Sequence, residues 1–200
     1  MNLSIITLMI AFFLGGGPKG KDQLVTIHTD FGDIILLLSD KTPKHKANFL
    51  KLAEEGFYDG TTFHRVIDNF MIQGGDPNTT DDDNTNDGQG GPGYTVPAEF
   101  VPELTHNRGA IAAARAPDRS NPQKASNGSQ FYIVENENGY HSLDGNYTVF
   151  GVVIRGFDVV EKIAVQNKDR RNKPLNDIKM TITVKKMSKK KIQKVYAYTY

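Results

Sequence analysis

The chain contains no cysteine and no tryptophan, and its charges almost cancel. Without cysteine there is no disulfide framework, no thiol nucleophile and no cysteine-ligated zinc, so the redox compartment cannot be inferred from cysteine usage. Lysine and arginine total 24 against 23 aspartate and glutamate residues, a net charge of +1. This balance does not indicate a nucleic-acid or membrane-surface partner.

The common sequence patterns of covalent and metal catalysis are also missing. No serine lies in a nucleophile elbow, and the five histidines are scattered without metal-ligand spacing. We therefore predict no metal and no cofactor. If the protein is an enzyme, we expect it to work without a covalent intermediate.

An apolar run from Leu3 to Leu14 begins the chain and is followed by Gly15 to Gly17. The run is short for a bilayer span, and small residues follow the hydrophobic part of a secretory signal, although the positive region that normally precedes it is absent. We expect residues 1–22 to be a signal-like segment and tether, and the protein to be exported, either soluble or tethered at its N-terminus. The alternatives are that the run is a hydrophobic strand of the domain and that the protein is cytoplasmic.

The remaining sequence predicts one β-rich domain over residues 23–186. Two β-branched runs flank a predicted hairpin turn at Asp30-Phe31-Gly32, and Thr42 with Pro43 begins a helix that ends near Gly56. Further strands are predicted in "TTFHRVI", "GAIAAARA", "SQFYIV", "YTVFGVVI" and "IKMTITVKK", and a second helix in "GFDVVEKIAVQ". Many short strands with two isolated helices favour a closed antiparallel β-barrel.

Two polar regions suggest binding functions only weakly. The long segment 74–100 contains "GQGGPG", which lacks the strand and helix of a nucleotide site, and an acidic run, Asp81 to Asp83 with Asp87, which lacks the glycine and glutamate of a calcium loop. A loop of this length is usually functional or mobile. Residues 187–200 are predicted to be a basic C-terminal tail, with contact to anionic lipid or nucleic acid as the less favoured alternative.

Arg65 and Gln73 stand in a run, "FHRVIDNFMIQGGD", in which six residues have the bulk of core residues: Phe63, Val66, Ile67, Phe70, Met71 and Ile72. A buried arginine needs a polar partner, and the alternative is that it reaches solvent from an edge strand. This run, "NGSQFYIV" from Asn127 and "LDGNYTVFGVV" from Leu143 together closely resemble the cyclophilin family of peptidyl-prolyl cis-trans isomerases. The resemblance covers about residues 23 to 186, in order and at suitable spacing.

The resemblance implies an eight-stranded antiparallel barrel closed by two helices, with a shallow proline-binding groove on its outside. It implies catalysis of X-Pro bond rotation in polypeptides by a monomer without a cofactor, the alternative being a non-catalytic proline-peptide binding module or chaperone. The residues that match the family's catalytic positions are Arg65, Gln73 and Phe70. Those that match its substrate-binding positions are Met71, Ala114, Arg115, Ala116, Gln130, Tyr132, Leu143 and Tyr147.

Four features depart from the family pattern. Tyr147 stands where many members have histidine, Tyr132 where a phenylalanine usually floors the pocket, and Ser142 where some members have tryptophan. The segment Pro117 to Ala125 lengthens a loop beside the groove. We expect catalysis to be kept, whereas the response to the cyclosporin class of inhibitors stays open.

Fractionation of cells that express the chain, with a mass measurement on the mature protein, checks the expected export. We expect either a mass that lacks the first stretch or an intact membrane-bound chain. Intact protein found only in the cytosol would contradict this prediction.

Overall fold

The computed structural model describes residues 18–200, so residues 1–17 of the predicted signal-like segment lie outside the described residues. In this range the chain forms ten strands and three α-helices. The strands are β1 (Lys21–Thr29), β2 (Gly32–Leu38), β3 (Arg65–Ile67), β4 (Met71–Gly74), β5 (Thr95–Val96), β6 (Ala110–Ala113), β7 (Ser126–Asn127), β8 (Phe131–Val134), β9 (Val149–Arg155) and β10 (Thr181–Ser188). The helices are α1 (Pro43–Glu54), α2 (Phe157–Ala164) and α3 (Lys189–Tyr196).

Eight strands form one antiparallel sheet in the order β10-β1-β2-β9-β6-β8-β4-β3, and β5 pairs with β7 separately. Each strand region and both helices predicted from the sequence contain an observed element. The predicted hairpin is formed by β1 and β2, and Gly32 has a φ of +123° at its turn. Only glycine adopts such a φ at little cost, which explains the residue found there.

The expected closure of the barrel is wrong. The edge strand β3 has only three residues, and the backbone N–H of its central residue, Val66, donates to the carbonyl of Asn172 in a loop, not to β10. Just before β3 and β10, a single isolated bridge joins Thr62 and Lys179. The sheet therefore curls until its edges approach each other, but in residues 18–200 no strand ladder closes it, because the loop before β10 occupies the edge of β3.

The beginning of α1 is stabilised by a distant carboxylate. The hydroxyl of Thr42, the predicted N-cap, makes no capping hydrogen bond. Instead Glu99 accepts hydrogen bonds from the backbone N–H groups of Lys44 (3.1 Å) and His45 (3.0 Å). A carboxylate at this position satisfies orphan donors and interacts favourably with the helix dipole. The helix is thereby fixed to the loop before β6.

Side chains of the sheet are buried on both of its faces. The inner face packs against α1 and α2 in the main core, which includes Ile72, Ile111 and Ile133. Their neighbours along the same strands project outward, because successive side chains of a strand alternate. These outward side chains form a second apolar cluster on the outer face, which includes Met71 and Tyr132.

A third apolar cluster lies under α3, in the region predicted to be a basic tail. The buried Ile192 packs against Leu24 of β1 and Leu37 of β2, and Ser188 caps the helix by accepting a hydrogen bond from the N–H of Lys191 (3.3 Å). No helix in residues 18–200 is both long and apolar enough to cross a membrane. The domain boundary at residue 186 stays a prediction.

Three histidines are buried: His45, His64 and His106. Burial lowers the pKa of each imidazole, because removal from water disfavours the charged form. His45 and His106 have carboxylate partners, whereas neither ring nitrogen of His64 has a hydrogen-bond partner among the described residues. All three are therefore neutral in the folded protein at neutral pH.

This neutrality predicts that the free energy of unfolding decreases as the pH falls. In the unfolded chain these three histidines take up protons near pH 6.5, whereas in the folded chain they do so only at lower pH, so each destabilises the fold by up to about 1.4 kcal/mol per pH unit below 6.5. Denaturant unfolding between about pH 7.5 and 5.5 measures the slope. Replacing His64 by leucine should flatten the slope, and an unchanged slope in that variant would contradict the assignment.

Candidate active site

A cavity of about 220 Å³ opens on the outer face of the sheet. It is smaller than the roughly 300–1,000 Å³ of sites for drug-sized ligands, and its size suits one or two amino-acid residues. Nine predicted site residues line it: Arg65, Phe70, Met71, Gln73, Ala114, Arg115, Tyr132, Leu143 and Tyr147. The two others, Ala116 and Gln130, are not part of the lining.

Arg65 is half-buried at the start of the edge strand β3. It lies directly opposite Gln73 of β4, so both side chains project to the same face of the sheet. Its Nη1 donates to Oε1 of Gln73 at 3.2 Å and lies 3.9 Å from the sulfur of Met71. Burial lowers the pKa of Arg65, but a guanidinium that normally titrates above about 12 stays protonated at neutral pH. A cation is thus held at the cavity instead of extending into solvent.

A relay of two amides fixes the orientation of this cation. Nε2 of Gln73 donates to Oε1 of Gln130 at 3.1 Å, and Nε2 of Gln130 donates to the carbonyls of Gly90 (2.8 Å) and Gly88 (3.1 Å). Because Arg65 can only donate, each amide in the relay must present its oxygen toward the arginine side. Gln130 therefore acts behind the cavity wall, and the long loop 74–100 supplies the final acceptors.

Phe70 is positioned by the turn between β3 and β4. Asn69 adopts a left-handed conformation in that turn (φ 59°), and the carbonyl of Phe70 accepts a hydrogen bond from the N–H of Glu135 (2.8 Å). The ring of Phe70 lies 4.3 Å from that of Tyr140, between centroids, and 5.8 Å from Cζ of Arg65. The second distance is within the range of a cation–π interaction.

Tyr132 provides part of the cavity floor, and its hydroxyl points to a buried partner. The hydroxyl lies 2.8 Å from Nε2 of His106, whose Nδ1 lies 2.7 Å from Oδ1 of Asp144. Since the imidazole is neutral, Nδ1–H donates to the carboxylate and Nε2 accepts the tyrosine proton. Burial raises the pKa of Tyr132, so it stays a phenol. The polar end of the residue is thus satisfied beneath the cavity.

Arg115 and Tyr147 form one wall of the cavity. Cζ of Arg115 lies 4.5 Å from the ring centroid of Tyr147, and its Nε donates to the carbonyl of Asn146 at 2.7 Å. Both backbone groups of Ala114 are used, in bonds with Gln130 and Asn127. Among the described residues, the backbone N–H and C=O of Arg115 have no hydrogen-bond partner. Ala116 is exposed beside them.

Three residues of this region did not emerge from the sequence: His106, Asp144 and Tyr140. His106 and Asp144 are 38 positions apart, a separation that carries no motif. Asp144 lies in the run "LDGNYTVFGVV", but only the fold shows that its carboxylate reaches His106. Tyr140 lies in a polar loop, where nothing indicated a contact with Phe70.

The chemistry that this cavity allows is limited. Its nine lining residues include no serine, histidine or carboxylate, so an obvious nucleophile or general base is missing from the lining. Within residues 18–200 no cluster of histidine, aspartate and glutamate is suited to a metal ion, and Asp87 of the acidic segment pairs with Lys173 at 2.6 Å. What remains is an apolar surface beside a fixed donor.

Comparison with known proteins identifies the family. Residues 24–185 match the family model of the cyclophilin-type peptidyl-prolyl cis-trans isomerases. The chain is 40% identical over 161 residues to the peptidyl-prolyl cis-trans isomerase CYP18-1 of Arabidopsis thaliana, covering 78% of this chain and 91% of that protein. It is 39% identical over 193 residues to a Streptococcus pyogenes protein whose name combines a phosphatase with a peptidyl-prolyl cis-trans isomerase, covering 81% of this chain but only 37% of that protein.

The fold is similar to a solved structure as well. A crystal structure of a Cryptosporidium parvum cyclophilin-type peptidyl-prolyl cis-trans isomerase, obtained in the presence of the dipeptide Ala-Pro, superimposes with a TM-score of 0.70 at 34% identity. The match covers 81% of this chain and 98% of that one. This chain therefore belongs to the cyclophilin-type peptidyl-prolyl cis-trans isomerase family.

Proposed function

We propose that the outer-face cavity is the isomerase site of this chain and that Arg65 is its electrostatic catalyst. The observation that carries the proposal is the fixed guanidinium of Arg65, tied to Gln73 at 3.2 Å and placed beside an apolar cavity. The cavity accommodates the proline ring, and the guanidinium faces the amide that rotates.

The reaction needs no covalent chemistry. Rotation about an X-Pro bond faces a barrier of roughly 18–20 kcal/mol, because the C–N bond has partial double-bond character. Twisting breaks the conjugation and returns a lone pair to the prolyl nitrogen. A donor fixed near this nitrogen stabilises the twisted state more than either planar state, which is the condition for catalysis.

Two parts of the site share this work. A hydrogen bond from a charged group contributes about 1.5–3 kcal/mol, equivalent to roughly ten- to 150-fold in rate. The remainder comes from holding the ring against Phe70, Met71 and Tyr132 while the residue before proline rotates. The unpaired backbone N–H and C=O of Arg115 form strand-like hydrogen bonds with the substrate backbone next to the rotating residue.

We propose that the substrates are proline-containing polypeptides, since the chain is similar to a protein crystallised in the presence of Ala-Pro. Export remains a proposal that rests on the apolar run Leu3 to Leu14. The monomeric state likewise stays a prediction.

Replacing Arg65 by alanine should lower kcat/KM about ten- to 150-fold, because one charged hydrogen bond to the twisted amide is lost. Exchange NMR on a short X-Pro peptide observes both conformers and separates binding from turnover. Arg65→Lys keeps the charge but loses the planar fork, so it should recover only part of the rate. Arg170, an exposed arginine outside the cavity lining, provides the matched control. If Arg65→Ala and Arg170→Ala both exchange like the parent, Arg65 is not the catalyst.

Replacing Tyr132 by phenylalanine should affect stability more than activity. The ring that floors the cavity is kept, so kcat/KM should stay within about threefold. His106 Nε2 loses its donor, and an unsatisfied buried acceptor costs about 1–3 kcal/mol of unfolding free energy. The double variant Tyr132→Phe with His106→Leu should lose less than the sum of the single variants, as measured by denaturant unfolding. Additive losses would show that the two side chains are not coupled.

A further inference from the structure

A lysine-rich surface lies around α3, which covers the outer face of the sheet at β1 and β2, whereas the cavity lies over β3, β4, β6 and β8. We call it the basic face; its exposed members are Lys19, Lys185, Lys190, Lys191 and Lys194. Residues 185–194 hold six lysines and no carboxylate. Within residues 18–200 the lysines found in ion pairs are others: Lys41, Lys46, Lys162, Lys173 and Lys189. Asp40 lies beside α3, but it is shared between Lys46 and Lys189, and Asp22 also pairs with Lys46. The charge of the basic face is therefore uncompensated locally.

The fold brings these lysines together from both ends of the described chain. In the β1–β10 ladder Lys185 is opposite Leu24, which packs under α3, and α3 follows β10 directly. Ile192 turns its side of α3 inward. Successive residues of an α-helix are rotated by 100° about its axis. Lys190 and Lys194, two positions before and after Ile192, therefore lie on the opposite side of α3.

The apolar side of α3 is already buried against its own domain. What the helix presents outward is mainly charge, which suits contact at a surface and not insertion into an apolar groove. Val195 and Tyr200 are about half exposed at the rim, and Nζ of Lys189 lies 4.6 Å from the ring centroid of Tyr200. Aromatic rings next to lysines are typical of surfaces that meet lipid headgroups.

The position where the described chain begins points to the same partner. The N–H of Lys189, the first residue of α3, donates to the carbonyl of Gly20 at 3.0 Å. In the sequence, six residues, Gly15 to Gly20, separate this bond from the apolar run Leu3–Leu14. Six extended residues reach at most about 20 Å. In an uncleaved chain, the linker therefore allows at most about 20 Å between the end of the apolar run and the beginning of α3.

We propose that the basic face binds an anionic lipid bilayer. A bilayer is the partner that both features favour, because hydrocarbon accepts the apolar run and anionic headgroups attract the lysines. A nucleic acid would use the lysines but would leave the apolar run without a partner. The cavity lies outside this face, so bound protein keeps its catalytic site open to substrates. This inference does not depend on the isomerase mechanism.

Flotation of the full-length protein with vesicles tests the proposal. The lipid is phosphatidylcholine alone or with about 30% phosphatidylserine, an anionic surface of physiological character. The apolar run can bind to both kinds of vesicle. The ratio of the affinity for anionic vesicles to the affinity for neutral vesicles therefore measures the contribution of the lysines. Each lysine near such a surface strengthens binding about fivefold, and three account for a factor on the order of 100 at low salt.

The variant replaces Lys190, Lys191 and Lys194 by glutamine, which keeps helix propensity and removes three charges. Its matched control replaces three exposed lysines elsewhere, Lys44, Lys51 and Lys179, by glutamine. We expect the ratio to fall about 10- to 100-fold in the first variant, to stay within about twofold in the control, and to decline with salt in the wild type. Isomerase turnover on a test peptide should be unchanged in both, which shows that they fold.

Three outcomes would overturn the proposal. In the first, the α3 variant keeps the wild-type ratio. In the second, the control loses as much as the variant, so net charge and not the basic face decides binding. In the third, a duplex oligonucleotide displaces the wild-type protein from anionic vesicles and the α3 variant fails to bind that oligonucleotide. The basic face would then be a nucleic-acid surface.

Discussion

Burial of the sheet on both faces is the constraint on which the site depends. Along β4, Met71 faces outward and Ile72 inward, and along β8 Tyr132 and Ile133 divide in the same way. A slip of one residue in the register would exchange the cavity floor with the core, so the packing of the core also specifies the floor. The site is therefore as rigid as the sheet beneath it, which suits a reaction that depends on holding a ring still.

The orientation of the Arg65 guanidinium is fixed by a series of hydrogen bonds that runs from side-chain amides to backbone carbonyls. Arg65 donates to Gln73, Gln73 donates to Gln130, and Gln130 donates to backbone carbonyls of the loop that contains Gly88 and Gly90. Placing a guanidinium in a partly buried site is unfavourable unless its donors are used. The relay meets that requirement before substrate arrives, so little reorganisation is needed in the twisted state. The long polar loop thus helps to orient Arg65, although among the described residues it contributes nothing to the cavity lining.

Local patterns predicted the local elements well. Gly32 and the alternating runs around it predicted the β1–β2 hairpin, and Val159, Val160 and Ile163 predicted α2. Features set by distant residues were wrong or absent. Thr42 had the right identity for an N-cap, but Glu99 supplies the capping oxygens from 55 positions away. Helix α3 was predicted to be a basic tail, because one buried apolar residue, Ile192, among many lysines gives almost no helical periodicity in the sequence.

By itself, the sequence determined the family, the antiparallel strands, the two helices of the core and the identity of the residues that line the cavity. These features depend on residues close together in the chain or on continuous sequence motifs. The tertiary structure decided that the strand ladder stays open beside β3, that His106 and Asp144 support Tyr132, and that α3 brings its lysines to the beginning of β1. These contacts join positions far apart in the chain, and their energies depend on distances that no local pattern encodes.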